Sequence, residues 1–356
     1  MTATSRHAEL AAQPLASATA LPAHYYAGGE AALLDRRAVF ARSWQLAAHV
    51  SRLTDPGDHV IAEIAGLPLL IVRGDDGELR ALHNVCRHRA GPLATCDGRA
   101  AKRLRCQYHG WTYALDGQLL SAPEMSGVEQ FDPGAIRRPE GRVAQWRDFV
   151  FVAVSEAPPL AELFDGIDAR IGRDALSGYA FHRHLVYDIA CNWKVYVDNY
   201  LEGYHVPHIH PQLNRMLDYR SYVTELSRWH SLQWSPLESA GDLYGNGDAL
   251  YYWIWPNTML NILPGRLQTN RVLPLDGDRC RVEFDFYYPA NADAEPRRER
   301  DLAFSDIVQN EDVSICEHVQ RGLASGSYRA GRLNPLRESG VHHFHELLRT
   351  AYRILA

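Results

Sequence analysis

The sequence contains no run of about eighteen apolar residues, the shortest stretch expected of a membrane-spanning helix. It has no excess of positive charge either, because 43 Asp and Glu outnumber 37 Lys and Arg and the formal net charge is −6. These two absences argue against a membrane protein and against a nucleic-acid-binding protein. Residues 1–23 are rich in alanine but lack the basic start and apolar stretch of a signal peptide, so we expect a mobile N-terminal tail there.

Cysteine is scarce, and its distribution is informative. Six are present in 356 residues, without the spacing of a disulfide framework, so we expect reduced thiols and a cytoplasmic location. Four of them are scattered along the chain, and we interpret Cys96 as structural: Cys96, Cys191, Cys280 and Cys316. The other two each lie within three residues of a histidine.

Two short clusters combine cysteine with histidine, namely Cys86-Arg-His88 and Cys106-Gln-Tyr-His109. A Rieske [2Fe–2S] centre needs two Cys on one iron and two His on the other. A structural zinc ion also accepts two Cys and two His, but zinc fingers usually place the two Cys in one knuckle and the two His in the other. Because each cluster here mixes both residue types, the pattern favours a Rieske [2Fe–2S] cluster held by these four side chains.

Turn signals and hydrophobic patterns divide the chain into three segments. We predict an N-terminal tail and helix at 1–44, the helix covering about 31–47, and a small β domain at 45–155 that ends at Pro158-Pro159. Asp75-Asp76-Gly77 and Asp116-Gly117 predict hairpins, and the two Cys/His clusters are placed at hairpin tips. The segment 156–356 mixes predicted helices, at 193–204 and after 296, with strands at 250–255, 259–263 and 279–288.

A second metal site is indicated by three histidines within six residues, His205, His208 and His210. A mononuclear Fe(II) site that activates O2 uses two His and one carboxylate and leaves positions open. His205 and His208 have regular helical spacing, whereas His205 and His210 lie about 140° apart on a regular helix and can converge only if Pro207 breaks it. Spacing alone does not decide between these pairs, and a solvated or core-paired trio fits it as well.

The third ligand is expected to be a distant carboxylate, and we predict Asp312. Read as a helix, its segment places Asp312 on an apolar face with Val308 and Cys316, where a carboxylate is costly unless a metal pairs with it. Glu311 is the rival, but its face is more polar and we interpret it as solvated. A capping or ion-paired role for Asp312 is the alternative.

The two cluster loops, 83–91 and 106–111, and the histidine segment 192–211 resemble those of Rieske non-haem iron oxygenase α subunits. The resemblance extends from about residue 25 to residue 348. Within the family, the chain is similar to choline monooxygenase and related quaternary-ammonium oxygenases. It implies an α+β fold in which a small all-β Rieske domain is joined to an α+β catalytic domain with a curved antiparallel sheet of the helix-grip, Bet v 1/START-like type. It also implies a homotrimer.

The resemblance also assigns site residues. His205 and His210 fall on the ligand positions for Fe(II), with Asp312 as the third ligand and His208 as a neighbour. Glu202 falls where relatives carry an acidic residue, often the shorter Asp, that links a cluster histidine of one subunit to the first iron-binding histidine of the next. We predict that Asp198, one helical turn before Glu202 and on the same face, and Asn199 are further catalytic residues.

The implied function is that of a terminal oxygenase component, which uses O2 to hydroxylate a C–H bond, or to N-demethylate, a small substrate such as choline, betaine or carnitine. The chain lacks a Gly-x-Gly-x-x-Gly fingerprint and a plant-type Cys-x4-Cys-x2-Cys run, so we expect a separate NAD(P)H-dependent flavin and iron–sulfur reductase. An aromatic-ring dioxygenase and a non-catalytic Rieske electron carrier are the alternatives.

An aromatic strand is a candidate substrate contact. Tyr251, Trp253 and Trp255 alternate onto one face of the predicted strand 250–255, and aromatic faces stabilise a methylated ammonium group. Such strands also occur as ordinary core, so the pattern is compatible with either role.

Overall fold

The computed structural model describes residues 8–237, 243–290 and 295–355, and it divides the chain into two compact units. The first unit combines Met1–Val39 with Glu162–Ala356, and the second is Phe40–Ala161. The division of the sequence into 1–44, 45–155 and 156–356 stays a prediction.

The second unit contains nine antiparallel strands. They are β1 (Gln45–His49), β2 (His59–Ile64), β3 (Leu67–Arg73), β4 (Leu79–His83), β5 (Leu104–Arg105), β6 (Thr112–Tyr113), β7 (Leu119–Ser121), β8 (Glu140–Trp146) and β9 (Phe149–Ala153). Six form one sheet in the order β1-β9-β8-β4-β3-β2, and β5-β6-β7 form a second. Both predicted hairpins are present, β3 with β4 and β6 with β7. One apolar cluster of this unit includes Cys86, Cys106 and Tyr113, so the cysteines of both loops lie in its core.

The first unit is built on a seven-stranded antiparallel sheet in the order β10-β16-β15-β14-β13-β12-β11. Its strands are β10 (Tyr179–Ile189), β11 (Val223–Leu226), β12 (His230–Pro236), β13 (Asp248–Ile254), β14 (Thr258–Leu263), β15 (Arg266–Pro274) and β16 (Cys280–Pro289). An antiparallel sheet combined with helices is the α+β class that the resemblance implied, and this prediction is confirmed.

The α-helices of the described residues are α1 (Gly28–Ala38), α2 (Leu160–Leu163), α3 (Ile167–Ile171), α4 (Trp193–Tyr200), α5 (Val206–Ile209), α6 (Pro211–Asn214), α7 (Glu295–Ala324) and α8 (Ser339–Arg353). Short 3-10 turns occur at Leu15–Ser17, Ala23–Tyr25, Phe40–Arg42, Val50–Arg52, Pro133–Ala135 and Tyr219–Ser221. Within the described ranges, none of these helices is both long and apolar enough to span a membrane.

Two predicted helices end earlier than their patterns suggested. The helix predicted for 31–47 ends at Ala38, because Gln45–His49 pairs with β9 and strand pairing replaces local helical periodicity. The helix predicted for 193–204 begins after Asn192, whose side chain accepts a hydrogen bond from the Lys194 N–H (3.0 Å), but it ends at Tyr200. Asp198 and Glu202 therefore do not share one helical face.

Two further expectations were wrong. The first Cys/His cluster is not at a hairpin tip, because β4 leads into it and the next strand, β5, pairs with β6 instead. Residues 1–7 of the predicted mobile tail lie outside the described residues, but Leu10 and Leu21 are buried. The ring N–H of His342 donates to the Gln13 carbonyl (2.7 Å), and Arg349 donates to the Thr19 carbonyl (2.9 Å), so 8–23 packs against α8.

Candidate cluster and metal sites

The two Cys/His loops of the second unit have the same backbone hydrogen-bond pattern. In each loop the cysteine N–H donates to the carbonyl five residues later, and the N–H four residues later donates to the cysteine carbonyl. The four bonds are Cys86 to Gly91 (2.7 Å), Ala90 to Cys86 (3.0 Å), Cys106 to Trp111 (2.9 Å) and Gly110 to Cys106 (2.9 Å). Ala90 and Gly110 occupy equivalent positions in the two loops, and both have a left-handed backbone conformation, with φ of +58° and +75°. The loops therefore present their side chains in equivalent ways.

The four predicted cluster residues fit a Rieske centre. Cys86 and Cys106 are buried, and the His88 and His109 rings lie 4.5 Å apart between centroids. The Nδ1 atoms of both rings are buried without a hydrogen-bond partner among the described residues, as expected of atoms that ligate a metal. Burial, together with the charges of His88 and Arg89, lowers the pKa of His109 and favours the neutral imidazole that a metal requires.

The surroundings of the cluster residues are closely fitted. A Cβ atom added at Gly91 would lie 2.9 Å from the Cys106 Sγ, so only glycine leaves that sulfur room. The Tyr113 hydroxyl lies 3.2 Å from the Cys86 Sγ and accepts the Arg87 N–H (3.1 Å), while Trp111 stacks on His88 at 4.9 Å. Hydrogen bonds to ligand sulfurs help to set the reduction potential of an iron–sulfur cluster, so the Tyr113 hydroxyl would help to tune a cluster bound at Cys86.

In the first unit, three of the predicted ligands converge. The Nε2 atoms of His205 and His210 lie 3.2 Å apart, and the Asp312 Oδ1 lies 3.1 Å from the Nε2 of His210 and 3.8 Å from that of His205. His205 precedes the one-turn helix α5, whose first turn contains Pro207, and His210 follows it with non-helical dihedrals because Pro211 disfavours the helical conformation in the residue before it. His208 is exposed and outside this group.

Each of the two histidines has a carboxylate on its other ring nitrogen. Glu202 accepts from the His205 Nδ1 (2.5 Å) and from the His205 backbone N–H (3.0 Å), and Glu311 accepts from the His210 Nδ1 (2.7 Å). A carboxylate in this position fixes the tautomer and turns Nε2 toward a metal. The interpretation of Glu311 as solvated was wrong, because its side chain is only 30% exposed and holds His210.

The electrostatics of this group favour a cation. Burial lowers the pKa of His210, but the hydrogen bonds and charges of Asp312 and Glu311 outweigh burial and raise it overall. The Asn199 amide also donates to the Asp312 Oδ1 (2.6 Å), which fixes the carboxylate in place. Two imidazole nitrogens and one carboxylate oxygen within 3.8 Å fit a 2-His-1-carboxylate Fe(II) site with open positions.

Asp198 belongs to a different network. It accepts hydrogen bonds from the Tyr26 hydroxyl (2.7 Å) and from the Nε2 of His345 (2.9 Å), which is fully buried. Tyr26 and His345 were not predicted as partners of Asp198, because both are far from it along the chain. Of the three predicted catalytic residues, Glu202 and Asn199 contact the ligand group directly, and Asp198 contacts this network instead.

A cavity of about 120 Å³ lies beside the three ligands, with room for several waters or a small organic molecule. Its wall includes seven Tyr and Phe side chains: Tyr196, Tyr200, Tyr222, Tyr244, Tyr251, Phe284 and Phe304. Trp253 and Trp255 do not line it, contrary to the prediction. They pack on Phe344 of α8, with ring centroids 5.3 and 6.2 Å apart, because that helix covers their part of the sheet.

Comparisons with known proteins agree with both sites. Residues 176–354 match the family described as ring hydroxylating alpha subunit (catalytic domain), and residues 43–132 match the Rieske [2Fe-2S] domain. The chain is 36% identical to the chloroplastic choline monooxygenase of Arabidopsis thaliana, over 94% of this chain and 83% of the relative. It is 30% identical to the carnitine monooxygenase oxygenase subunit of Escherichia coli (strain K12), over 94% of each.

Solved structures show the same fold. The quaternary ammonium Rieske monooxygenase CntA in complex with L-carnitine has a TM-score of 0.84 at 27% identity, covering 96% of this chain and 99% of that one. Naphthalene 1,2-dioxygenase from Rhodococcus sp. has a TM-score of 0.78 at 17% identity, covering 94% of each chain, and shows the fold alone. The chain therefore belongs to the Rieske non-haem iron oxygenases, as a terminal oxygenase α subunit with a Rieske [2Fe–2S] domain and a catalytic domain for mononuclear iron.

Proposed function

We propose that this oxygenase hydroxylates an N-methyl group, or a C–H bond beside it, in a small quaternary ammonium compound. The observation that carries the proposal is the tyrosine-rich cavity beside His205, His210 and Asp312. The names of the choline and carnitine monooxygenases among its relatives support the same substrate class.

The proposed roles of the ligands follow from the geometry. His205, His210 and Asp312 hold the iron, and the cluster is held by Cys86, His88, Cys106 and His109. When bound, the two centres supply the electrons and the open coordination positions with which O2 is reduced next to the substrate. Glu202 and Glu311 keep the histidine protons on Nδ1, and Asn199 keeps Asp312 in position.

The cavity wall suits a cation. Tyr200 donates to the Asn261 side chain (2.6 Å) and Tyr222 to the Gln233 side chain (3.2 Å), so these hydroxyls are engaged and the ring positions are restricted. Each good contact between a methylated ammonium and an aromatic face is worth about 0.5–2 kcal/mol. Carboxylates of Asp312 and Glu202 also line the cavity, and they offset the positive charge of a bound Fe(II) at that end.

A pair of ligands of the same shape tests this proposal. Choline and 3,3-dimethylbutan-1-ol differ in having nitrogen or carbon at the branching centre, and hence in charge. We expect choline to bind at least about tenfold more tightly, which corresponds to about 1.4 kcal/mol. Substrate-dependent O2 uptake with a surrogate reductase then identifies the substrate. Equal binding of the pair, together with turnover of a neutral arene, would instead support a ring-hydroxylating dioxygenase.

Iron content tests the third possibility, a non-catalytic Rieske electron carrier. We expect three iron atoms per chain, two in the cluster and one in the mononuclear site. His210→Ala and Asp312→Ala are each expected to lower the count to two and to abolish oxygenation, while the visible spectrum of the cluster is kept. A wild-type content of two would support the carrier.

We further propose that Glu202 connects the mononuclear site to the cluster of a neighbouring subunit in a homotrimer. The two hydrogen bonds that Glu202 accepts from His205 support its place at the mononuclear site. The link to a neighbouring subunit comes from the resemblance to the family. Glu202→Gln keeps the shape but removes the charge. With the mononuclear site kept filled by added Fe(II), because loss of the Glu202 charge weakens the hold on His205, we expect the cluster to be retained while cluster oxidation in a single turnover slows by orders of magnitude. Cluster oxidation at the wild-type rate would move the role to Asp198, tested by Asp198→Asn.

The source of electrons and the location complete the proposal. A separate NAD(P)H-dependent flavin and iron–sulfur reductase delivers electrons, because the sequence carries no dinucleotide-binding fingerprint of its own. A cytoplasmic location is proposed from the six cysteines, which form no disulfide.

A further inference from the structure

A row of buried polar side chains lies along one wall of the cavity. Arg266, Gln268 and Asn270 alternate on β15, so they point to the same face of the sheet. The Arg266 guanidinium donates to the side-chain oxygen Oε1 of Gln268, and the Gln268 side-chain Nε2 donates to the Asn270 Oδ1 (2.7 Å). The row is therefore a connected network on the cavity wall.

Helix α7 extends this polar wall toward the metal ligands. The Ser305 hydroxyl donates to the Gln268 side chain (3.4 Å), and Gln309 lies four residues after Ser305 on the same face of the helix. Asp312 follows three residues later, about 4.5 Å along the helix axis. Gln309 thus lies between the polar row and the proposed iron ligand, and it lines the cavity.

Two donors on this wall lack partners. Gln309 is 2% exposed, and its side-chain oxygen accepts from the Tyr196 hydroxyl (2.7 Å), but its Nε2 has no hydrogen-bond partner among the described residues. The Nε of Arg266 is also buried and has no hydrogen-bond partner within the described part of the chain. A buried donor without a partner is unfavourable, so the wall is built for a ligand that brings an acceptor atom.

The charge of the wall restricts which kind of acceptor group the ligand can carry. Arg266 is paired with Asp301 (2.8 Å), which also accepts from the hydroxyls of Tyr244 and Tyr288. The guanidinium charge is therefore already neutralised, and the wall offers donors without net positive charge. A buried carboxylate would lack a compensating cation there, whereas a hydroxyl needs none.

We propose that Gln309 is a specificity-determining residue whose free amide N–H donates to a hydroxyl oxygen at the end of the substrate opposite its methylated ammonium group. This inference rests on the proposed function and goes further, because it assigns the second functional group of the substrate. The methylated end contacts the tyrosines beside the iron ligands, and the hydroxyl end contacts the polar wall one helical turn away.

The test uses two cations that differ only at the position Gln309 would contact. Choline carries a hydroxyl where propyltrimethylammonium carries a methyl group. Binding of each is measured by calorimetry on the oxygenase with both centres loaded, under nitrogen and without a reductase. We expect the wild type to bind choline more tightly than propyltrimethylammonium. Gln309→Met should lower this ratio of affinities by about tenfold, because one hydrogen bond to choline is lost. The affinity for propyltrimethylammonium should differ between Gln309→Met and the wild type by less than about twofold.

Two variants keep this test sharp. Asn310→Ala alters the neighbouring amide on the exposed side of α7 and should keep the wild-type preference. Gln309→Glu keeps the size of the side chain, and an ionised carboxylate can only accept. At a pH high enough to ionise it, this variant should bind choline and reject (2-methoxyethyl)trimethylammonium, whose oxygen cannot donate. The wild type should bind both compounds.

The outcomes separate the two proposals. An unchanged preference for choline in Gln309→Met, or equal rejection of both ethers and alcohols by Gln309→Glu, overturns the role of Gln309 alone. Tighter binding of glycine betaine than of choline to the wild type overturns the choice of a hydroxyl. If none of the quaternary ammonium compounds binds the wild type, the proposed function itself fails.

Discussion

Glu311→Gln isolates the contribution of a carboxylate that contacts a proposed iron ligand without being one. The glutamate accepts from the His210 Nδ1 at 2.7 Å, and His210 is only 1% exposed, so solvent cannot replace the contact. Glutamine keeps the size and an acceptor oxygen but removes the charge that makes the imidazole a better ligand. Loss of such a partner lowers metal affinity by about 10–100-fold, or about 1.4–2.7 kcal/mol.

The assay is competition for the mononuclear iron by a chelator, with iron counted per chain. We expect Glu311→Gln to release one iron at a chelator concentration about 10–100-fold lower than the wild type requires. The cluster is an internal control, because its proposed ligands lie in Phe40–Ala161 and its visible spectrum should not change.

Glu299→Gln is the matched control variant. Glu299 lies on the same helix α7, but its side chain is 54% exposed and pairs with Arg183, more than three helical turns before Asp312. It should release iron at the wild-type midpoint. If Glu311→Gln did the same, the carboxylate would have no part in holding His210 for the metal, and the reasoning from its hydrogen bond would be refuted.

Three further predictions concern ion pairing, cluster assembly and pH. Lys194 pairs with Asp35 in the core, where the two side chains are 0% and 2% exposed. Lys194→Met should therefore lower the free energy of unfolding, measured by urea titration, by about 3–5 kcal/mol, because it leaves a buried charge without its partner. Adding Asp35→Asn should restore part of this loss. Gly91→Ala should lower cluster content, measured as absorbance and iron per chain, because the new Cβ would crowd the Cys106 sulfur; full occupancy would contradict this fit. Burial, with the charges of His230 and His342, lowers the pKa of His343 to about 4, below its unfolded value of about 6.5. The unfolded state then binds more protons between these values, so the contribution of His343 is fully present above pH 6.5 and about 3 kcal/mol is lost as the pH falls through 4. His343→Leu should flatten that part of the stability profile, and an identical slope would disprove the assignment.

The ligand sets were accessible from the sequence because metal chemistry permits few residue types. The mixed Cys/His composition of each loop excluded the usual zinc arrangement before any coordinates were considered. Pro207 predicted that a helix ends between His205 and His210, but α5 begins beside Pro207 and ends before Pro211, and the choice of that pair came from the resemblance. Asp312 was recognised because a carboxylate on an apolar helix face needs a partner.

Contacts between distant segments were not accessible in this way. Glu311 was interpreted as solvated because its own helix face is polar, and nothing local indicates that His210 lies against it. Trp253 was correctly assigned to the face of Tyr251, but the sequence does not reveal that α8 covers one part of this face and leaves the other to the cavity. In both cases the missing information is which distant element packs on a correctly predicted face.

The two orienting carboxylates differ in origin, and the difference has a consequence for the site. Glu202 reaches His205 from three residues away, so that contact is local and persists wherever this segment lies. Glu311 and Asp312 are neighbours on α7, so one helix delivers both a proposed iron ligand and the group that orients His210. The same helix carries Gln309 into the cavity wall. A small shift of α7 against α5 would therefore change the proposed substrate contact, the third ligand and the His210 hydrogen bond together. The cavity wall and the proposed iron site therefore share residues of one helix, so a substitution that displaces α7 is expected to affect both.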